Sequence, residues 1–368
     1  MSLRFLTSGE SHGKCLNAII DGIGANFELD FDFINSELRA RQGGLGRGGR
    51  MKIETDKVTF NSGVRFSKTT GAPICIEIQN IDHKNWLLPM STEKINLEDL
   101  SEDEKQFLKS KEIERVRPGH ADFAGAIKYN QKDIRNILER SSARETATRC
   151  AVGAICQSIL KNFDIELTSQ VVSLGGEIEP EKFEAKIKEA QESGESLGGR
   201  VKITIKNLPI GLGSCMHWDR RLDGKLAGAV MSVPAIKSVE IGLGSQCADR
   251  FGSLVHDEIF LDENERILRK TNNAGGIEGG MTNGEDIVIT AAMKPIPTMK
   301  KALNSININT KEQTSAHFER ADTCALDACG VVVKNMCAIV VLNAFFEKFG
   351  SDSYEEVMKN FKNNAKKI

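Results

Sequence analysis

Apolar and polar residues alternate over short runs at 3–7, 52–60, 74–79, 166–173, 201–205, 239–243 and 286–292, the two-residue period of half-buried strands. The period lengthens to that of a helix at 33–42, 122–130, 143–163, 181–192, 219–233 and 329–349. The helices from Ala143 and from Cys329 are apolar on most faces, which places both in the core. Ser142 followed by Glu145 reads as a capping box opening the first of them. Two acidic, lysine-rich stretches, 96–114 and 177–195, read as solvated helices or surface insertions. Strands outnumber strand–helix–strand units, so layered α+β packing fits better than a doubly wound parallel sheet. No repeat, linker or composition shift divides the chain, and residues 1–368 are expected to form a single large domain.

Charge narrows the function. The 49 Lys and Arg nearly balance the 51 Asp and Glu, a net charge of −2 that excludes a strongly basic nucleic-acid binder by bulk charge. Aromatic residues make up 6%, too few for a platform that stacks bases. The nine cysteines contain no C-x-x-C pair and mostly sit in apolar runs, as reduced core residues of a cytosolic protein do. The opening MSLRFLTSGESHG lacks the apolar stretch of a signal peptide. The longest apolar run, 337–346, is broken by Asn343 and falls short of the ~20 residues of a membrane span. The expectation is a cytoplasmic protein with no membrane and no nucleic-acid partner.

Polar, glycine-rich segments carry the candidate chemistry. Gly9-Glu10-Ser11-His12-Gly13 fits the nucleophile elbow of a serine hydrolase, but it lies about ten residues from the start rather than on an interior strand of a parallel sheet. RQGGLGRGGR at 41–50, with Arg41, Arg47 and Arg50 followed by Lys52, reads as a flexible basic loop, an RNA-binding patch or a clamp for a small anion. The acidic whole favours the clamp. In Arg117-Pro118-Gly119-His120 the fixed φ of proline and the freedom of glycine aim the histidine. His12 and His120 both sit in glycine turns beside charges and are candidate acid–base groups. His83, His217, His256 and His317 read as surface or structural residues, and no histidine or carboxylate spacing suggests a metal. Arg140, Ser141 and Ser142 place a cation, two hydroxyls and free N–H groups at a helix start, a ready anion site. Gly275, Gly276, Gly279 and Gly280 would let backbone lie flat on a planar ligand, or simply form a glycine-rich hairpin.

Taken in order, GESHG, the Arg41/Arg47 loop, SGV at 62–64, TTGAPI at 69–74, RPGHAD at 117–122, RSSARETA at 140–147, the run at 219–242, NNAGGIEGG at 272–280 and R-x-D-x-C at 320–324 resemble the chorismate synthase family over nearly the whole chain. The resemblance implies a lyase that converts 5-enolpyruvylshikimate 3-phosphate into chorismate and phosphate by anti-1,4-elimination, the last common step towards the aromatic amino acids. It implies reduced FMN as cofactor, with NADPH as one candidate reductant, a homotetramer, and a β-α-β sandwich with buried helices between antiparallel sheets. By resemblance His12 protonates the departing phosphate, His120 governs protonation of the reduced flavin, and Asp322 works with flavin N5 in the deprotonation at C6. FMN contacts fall on Arg140, Ser141, Ser142, Pro234, Ala235, Gly279, Lys294, Pro295, Ile296, Pro297, Thr298 and Arg320. Arg41 and Arg47 match positions linked to substrate phosphate or NADP, and Ser11 and Arg117 join them in the substrate set. Nothing resembles an added reductase domain, which favours an outside source of reduced flavin. The chain departs from the family pattern at Gln42–Gly44, Ile296–Thr298, Ala321, Thr323 and Ala328–Val331, with the loss of two hydroxyls and an arginine, which implies a weaker grip on the flavin phosphate. A serine hydrolase acting through Ser11 and an RNA binder using 41–50 are the alternatives.

Overall fold

The computed structural model describes residues 2–47, 55–318 and 322–365. Arg50, Lys52 and Arg320 lie outside these residues. Two four-stranded sheets, antiparallel throughout, form the outer layers. The first runs Arg4–Ser8, Cys15–Asp21, Ile74–Gln79, Thr59–Ser62 across the sheet, with Ala18 opposite Ile76. The second runs Ile236–Ile241, Ile287–Met293, Gly199–Lys206, Glu166–Leu174, with Ile289 opposite Ile203. Alternation decides which face turns inward: Leu16, Ala18, Ile20, Ile74, Ile76 and Ile78 are buried on one side, and Val201, Ile203, Ile205, Ile287, Ile289 and Ala291 on the other.

Helices fill the space between. Thr146–Leu160 packs on the first sheet, Leu326–Phe349 on the second, and the two pack on each other. Both are buried along nearly their whole length, as their all-round apolar character requires. Leu326–Phe349 is long and apolar enough to cross a membrane, yet 83% of its most apolar window is buried inside this structure. The two helices touch at Gly153, where a Cβ would lie 2.3 Å from the Asn335 carbonyl oxygen. Beside the crossing, Glu37 of the Phe31–Gln42 helix accepts from Lys334 Nζ at 2.7 Å and from Asn335 Nδ2 at 2.9 Å. Gln157 Nε2 donates to Asn335 Oδ1 at 2.8 Å, so one buried polar cluster ties three helices.

The expected α+β sandwich is therefore present, with corrections at the edges of elements. The capping box at Ser142 does not close. Ser142 caps a short 3-10 turn, Ala143–Glu145, and the Glu145 carboxylate turns instead to Arg149 at 2.9 Å. A capping box forms at Ser101 and Glu104, on the exposed Glu102–Lys111 helix within the acidic stretch. Of the expected strand at 52–60, residues 52–54 lie outside the described residues and the rest is strand only from Thr59, in Thr59–Ser62; the strand Cys15–Asp21 and the helix Arg135–Ser141 are additions to the sequence reading. A small second core of Ile113, Val116, Ala126, Ile134, Leu138 and Ile308 anchors the segment that carries Arg117 and His120.

Candidate active site

A cavity of about 640 Å³ opens where the two core helices begin. Its walls come from Ser141–Thr146 and Arg149, from Ala325, Ala328, Cys329 and Val332, from the turn Val233–Ala235, and from the end of the Ile287–Met293 strand with Lys294, Ile296, Pro297 and Thr298. Two helix starts therefore lie at one space, and the positive ends of their dipoles favour an anion. The expected helix start at Arg140 is corrected: Arg140 and Ser141 end the Arg135–Ser141 helix, and the N–H groups of Arg144, Glu145 and Thr146 are taken up in the 3-10 turn that follows. The side chains agree. Arg41, Arg47, Arg117, Arg140, Arg144, Arg149 and Lys294 line it against two carboxylates, Glu145 and Asp322.

Each arginine is held by specific partners. Arg41, buried, donates from Nε to Thr146 Oγ1 at 3.1 Å and from Nη2 to the Ala143 carbonyl at 3.1 Å. Its Nη1 has no hydrogen-bond partner among the described residues, the Asp56 carboxylate standing off at 3.6 Å. Burial pulls its pKa below the usual arginine value, with Asp56 opposing. Arg144 donates to the other Asp56 oxygen at 2.6 Å and to Asn80 Oδ1 at 2.9 Å. Arg47 pairs with Asp322 at 2.6 Å, while its Nε is buried with no hydrogen-bond partner among the described residues. Arg140 is committed to the Gly9 carbonyl at 3.0 Å and to Thr7 Oγ1 at 2.7 Å.

His120 lies in the cavity wall, in a tight cluster. Nδ1 donates to Asp122 Oδ1 at 2.5 Å. Arg117 grips the same carboxylate through Nε at 2.7 Å, Nη2 at 3.0 Å and its backbone N–H at 3.1 Å, and its Nη1 reaches Thr298 Oγ1 at 3.2 Å. Burial alone would raise the Asp122 carboxyl, but the hydrogen bonds from His120 and Arg117 hold it well below the usual carboxylate range. Lys294 donates to the Gly119 carbonyl and closes the turn from the other side.

His12 is placed differently. It does not line the cavity. Both its backbone N–H and Nδ1 donate to the buried Glu139 carboxylate at 2.7 Å, and its ring stacks on Trp86 at 3.9 Å. Its link to the cavity is the neighbouring Ser11, whose hydroxyl accepts from Ser142 at 3.2 Å. His83 supports the arrangement through the His12 carbonyl at 3.0 Å. The segment joins two antiparallel strands, Arg4–Ser8 and Cys15–Asp21, and Ser11 is buried, so the strand–turn–helix context of a hydrolase elbow is absent there. Cys329, the one cysteine in the cavity wall, has its thiol pushed up to about 12 by burial and is no nucleophile.

Fourteen of the residues singled out in the sequence share this wall: Arg41, Arg47, Arg117, His120, Arg140, Ser141, Ser142, Pro234, Ala235, Lys294, Ile296, Pro297, Thr298 and Asp322. Pro295, Gly279, Ser11 and His12 are not in it. Ala235 occupies the left-handed region at φ +71, a strained backbone of the kind that clusters at ligand sites. One departure from the family pattern acquires a reason. Gly44, at φ +109, passes so close to Asp327 that a Cβ would lie 2.5 Å from its side chain, and Leu45 N–H donates to Asp327 Oδ2 at 2.9 Å. The Thr298 hydroxyl is already engaged by Arg117. Asp122, Glu139, Asp56 and Arg144 lie within the motifs read from the sequence, but no site role was assigned to them there. The His-x-Asp spacing in a glycine turn was the available signal for the first.

The comparisons agree with the geometry. A family model described as chorismate synthase matches residues 3–346. A chorismate synthase of Thermoanaerobacter pseudethanolicus is 53% identical over 359 residues, covering 98% of this chain and 97% of that protein. One of Aquifex aeolicus is 50% identical over 393 aligned positions, covering 98% and 96%. A crystal structure of chorismate synthase superposes with a TM-score of 0.77 at 41% identity, covering 100% of this chain and 98% of that one. Matched along its length by family, relatives and fold, the chain belongs to the chorismate synthase family.

Proposed function

We propose that this chain converts 5-enolpyruvylshikimate 3-phosphate into chorismate and phosphate in the cationic cavity, with reduced FMN bound beside the substrate. The observation that carries the reading is the wall itself: seven cationic side chains against two carboxylates at the starts of two buried helices, with a histidine fixed by a buried carboxylate among them. Substrate and flavin both bring phosphate, and the substrate brings carboxylates as well. The volume lies in the range of pockets that enclose small ligands, and the buried Arg41 Nη1 and Arg47 Nε are donors that a bound anion would satisfy. The residues therefore fit the cofactor.

Arg140, Ser141, Ser142, Pro234, Ala235 and the segment Lys294–Thr298 would hold the flavin. When bound, reduced FMN supplies electron density that no side chain here can supply. Arg41 and Arg47 take the anionic groups of the substrate. Elimination breaks the bond from C3 to the phosphate oxygen and removes a hydrogen from C6. Donors around the leaving group stabilise its charge. His12, which the resemblance makes the acid for the departing phosphate, stands behind the wall beside Ser11, whose hydroxyl accepts from Ser142. His120 moves a proton at Nε2, and Asp322, held by Arg47, is the carboxylate for the deprotonation. The working unit is a cytoplasmic homotetramer, with exposed Met216, Trp218 and Phe251 offering apolar surface to cover. Reduced flavin comes from outside rather than from NADPH oxidised by this chain.

The test is anaerobic. Protein, chemically reduced FMN and substrate are mixed, and chorismate and phosphate are followed against an oxidised-FMN control. Product in the reduced sample alone is expected. No product from folded protein that binds flavin would sink the reading.

A further inference from the structure

We propose that Asp122 is the positioning residue of this site: fixed by Arg117, it holds the proton of His120 on Nδ1 and leaves Nε2 as the nitrogen that exchanges protons with the cavity. The inference rests on the reading of His120 above and adds a residue to it. A 2.5 Å contact between a ring nitrogen and a carboxylate oxygen needs a proton between them. Three donors from Arg117 converge on Asp122 and keep it ionised, so that proton belongs to the ring. Asp122 is fully buried and the His120 side chain is 17% exposed, and the one other group at the ring, Arg117 Nη2, lies 3.0 Å from Nδ1 and 3.5 Å from Nε2 while it donates to Asp122 Oδ1 at 3.0 Å, so the shorter 2.5 Å contact to the carboxylate is the one that decides Nδ1. Thr298 Oγ1 holds Arg117 from the far side, and Lys294 holds the backbone at Gly119. The turn, the guanidinium and the carboxylate thus form one braced unit that turns the imidazole Nε2, with only a 3.5 Å contact to Arg117 Nη2, towards the cavity wall.

The same geometry predicts what an amide would do. Oδ2 receives both the backbone N–H and Nε of Arg117. In Asp122→Asn the amide oxygen stays there, because those two donors require an acceptor. The NH2 group then takes the place of Oδ1, gives up the one bond that Oδ1 receives from Arg117 Nη2, and faces His120 Nδ1, which must accept. The neutral ring is forced into the opposite tautomer, with its proton on Nε2.

The experiment is long-range proton–nitrogen NMR on the full-length protein labelled with 15N-histidine, with His120→Gln used to assign the ring. Wild type is expected to show neutral His120 protonated at Nδ1, and Asp122→Asn to show it protonated at Nε2. Wild type protonated at Nε2 overturns the proposal whether or not the variant folds. In turnover, Asp122→Asn should lower kcat about 10²-fold or more with KM for substrate changed less than about threefold, the scale of a misplaced acid–base group. It should add nothing in a His120→Ala background, because it acts through that ring. Additive losses would overturn the positioning role. If His120→Ala turns over like wild type while the tautomer still switches, the role of His120 fails and the tautomer assignment stands, so the two failures are distinguishable.

Discussion

Gly153→Ala inverts the usual sign of a glycine substitution inside a helix. Alanine is favoured over glycine there by about 1 kcal/mol. At this crossing, however, the new Cβ would stand 2.3 Å from the Asn335 carbonyl oxygen and 2.4 Å from Asn335 Cβ. Ordinary contact between such atoms is about 3.5 Å, so the helices must part by roughly 1 Å. Overpacking of this kind costs about 1–3 kcal/mol. The parting also stretches the 2.8 Å bond from Gln157 to Asn335, worth about another 1 kcal/mol. The balance is a net loss of about 1–3 kcal/mol. Gly228→Ala is the control. It lies on the exposed side of the Leu222–Met231 helix, where a Cβ meets nothing within 4 Å, and it should gain about 0.5–1 kcal/mol. Urea unfolding of the two variants beside wild type gives the answer. Midpoints that rise together would refute the close-approach argument.

His12→Ala and His120→Ala should each remain folded and lose about 10²–10⁴-fold in kcat, read by chorismate formation with reduced FMN. Glu139→Gln should release His12 from its buried carboxylate and destabilise the fold by about 1–3 kcal/mol, measured by urea melts. Asp122 titrates in the fold well below its unfolded value near about 4, so its stabilisation is complete above that pH and is lost as pH falls below it. Wild type should therefore lose more stability than Asp122→Asn between about pH 5 and pH 3 in thermal melts. A maleimide should label the exposed Cys215 in the native protein and leave Cys329 untouched until denaturant is added, as mass spectrometry of the labelled peptides will show.

The core was legible where the pattern admits one solution. A helix apolar on all faces has nowhere to go but inside, and Thr146–Leu160 and Leu326–Phe349 are there. The Cys15–Asp21 strand is not among the strands read from the sequence, although Leu16, Ala18 and Ile20 alternate cleanly directly after the glycine-rich turn. The capping box failed because Glu145 had a nearer competitor: Arg149 sits one turn on, and an ion pair displaced the cap. At the site, arginines, serines and histidines stood out as clusters of chemistry in glycine turns. Asp122 and Glu139 lay inside the same motifs and drew no attention. A carboxylate becomes informative only once it is known to be buried against a histidine, and that is a property of packing. The placement of His12 behind the wall was hidden for the same reason, since its distance from the cavity depends on how Ser11 meets Ser142.

The strap between the arginine loop and the start of the last core helix has a consequence for the order of assembly. Arg47 reaches Asp322, Gly46 accepts from the Thr323 N–H at 3.0 Å, and Leu45 meets Asp327. These partners are separated by some 275 residues of chain. The first sheet closes among residues below 80, and its partners are all present early in synthesis. The anion-binding wall cannot close until the chain has been made past residue 332. Contacts so distant along the chain form late because their loops are expensive to close. A nascent chain therefore holds a half-built sandwich with its cationic walls apart, and a bound anion can favour only the finished fold.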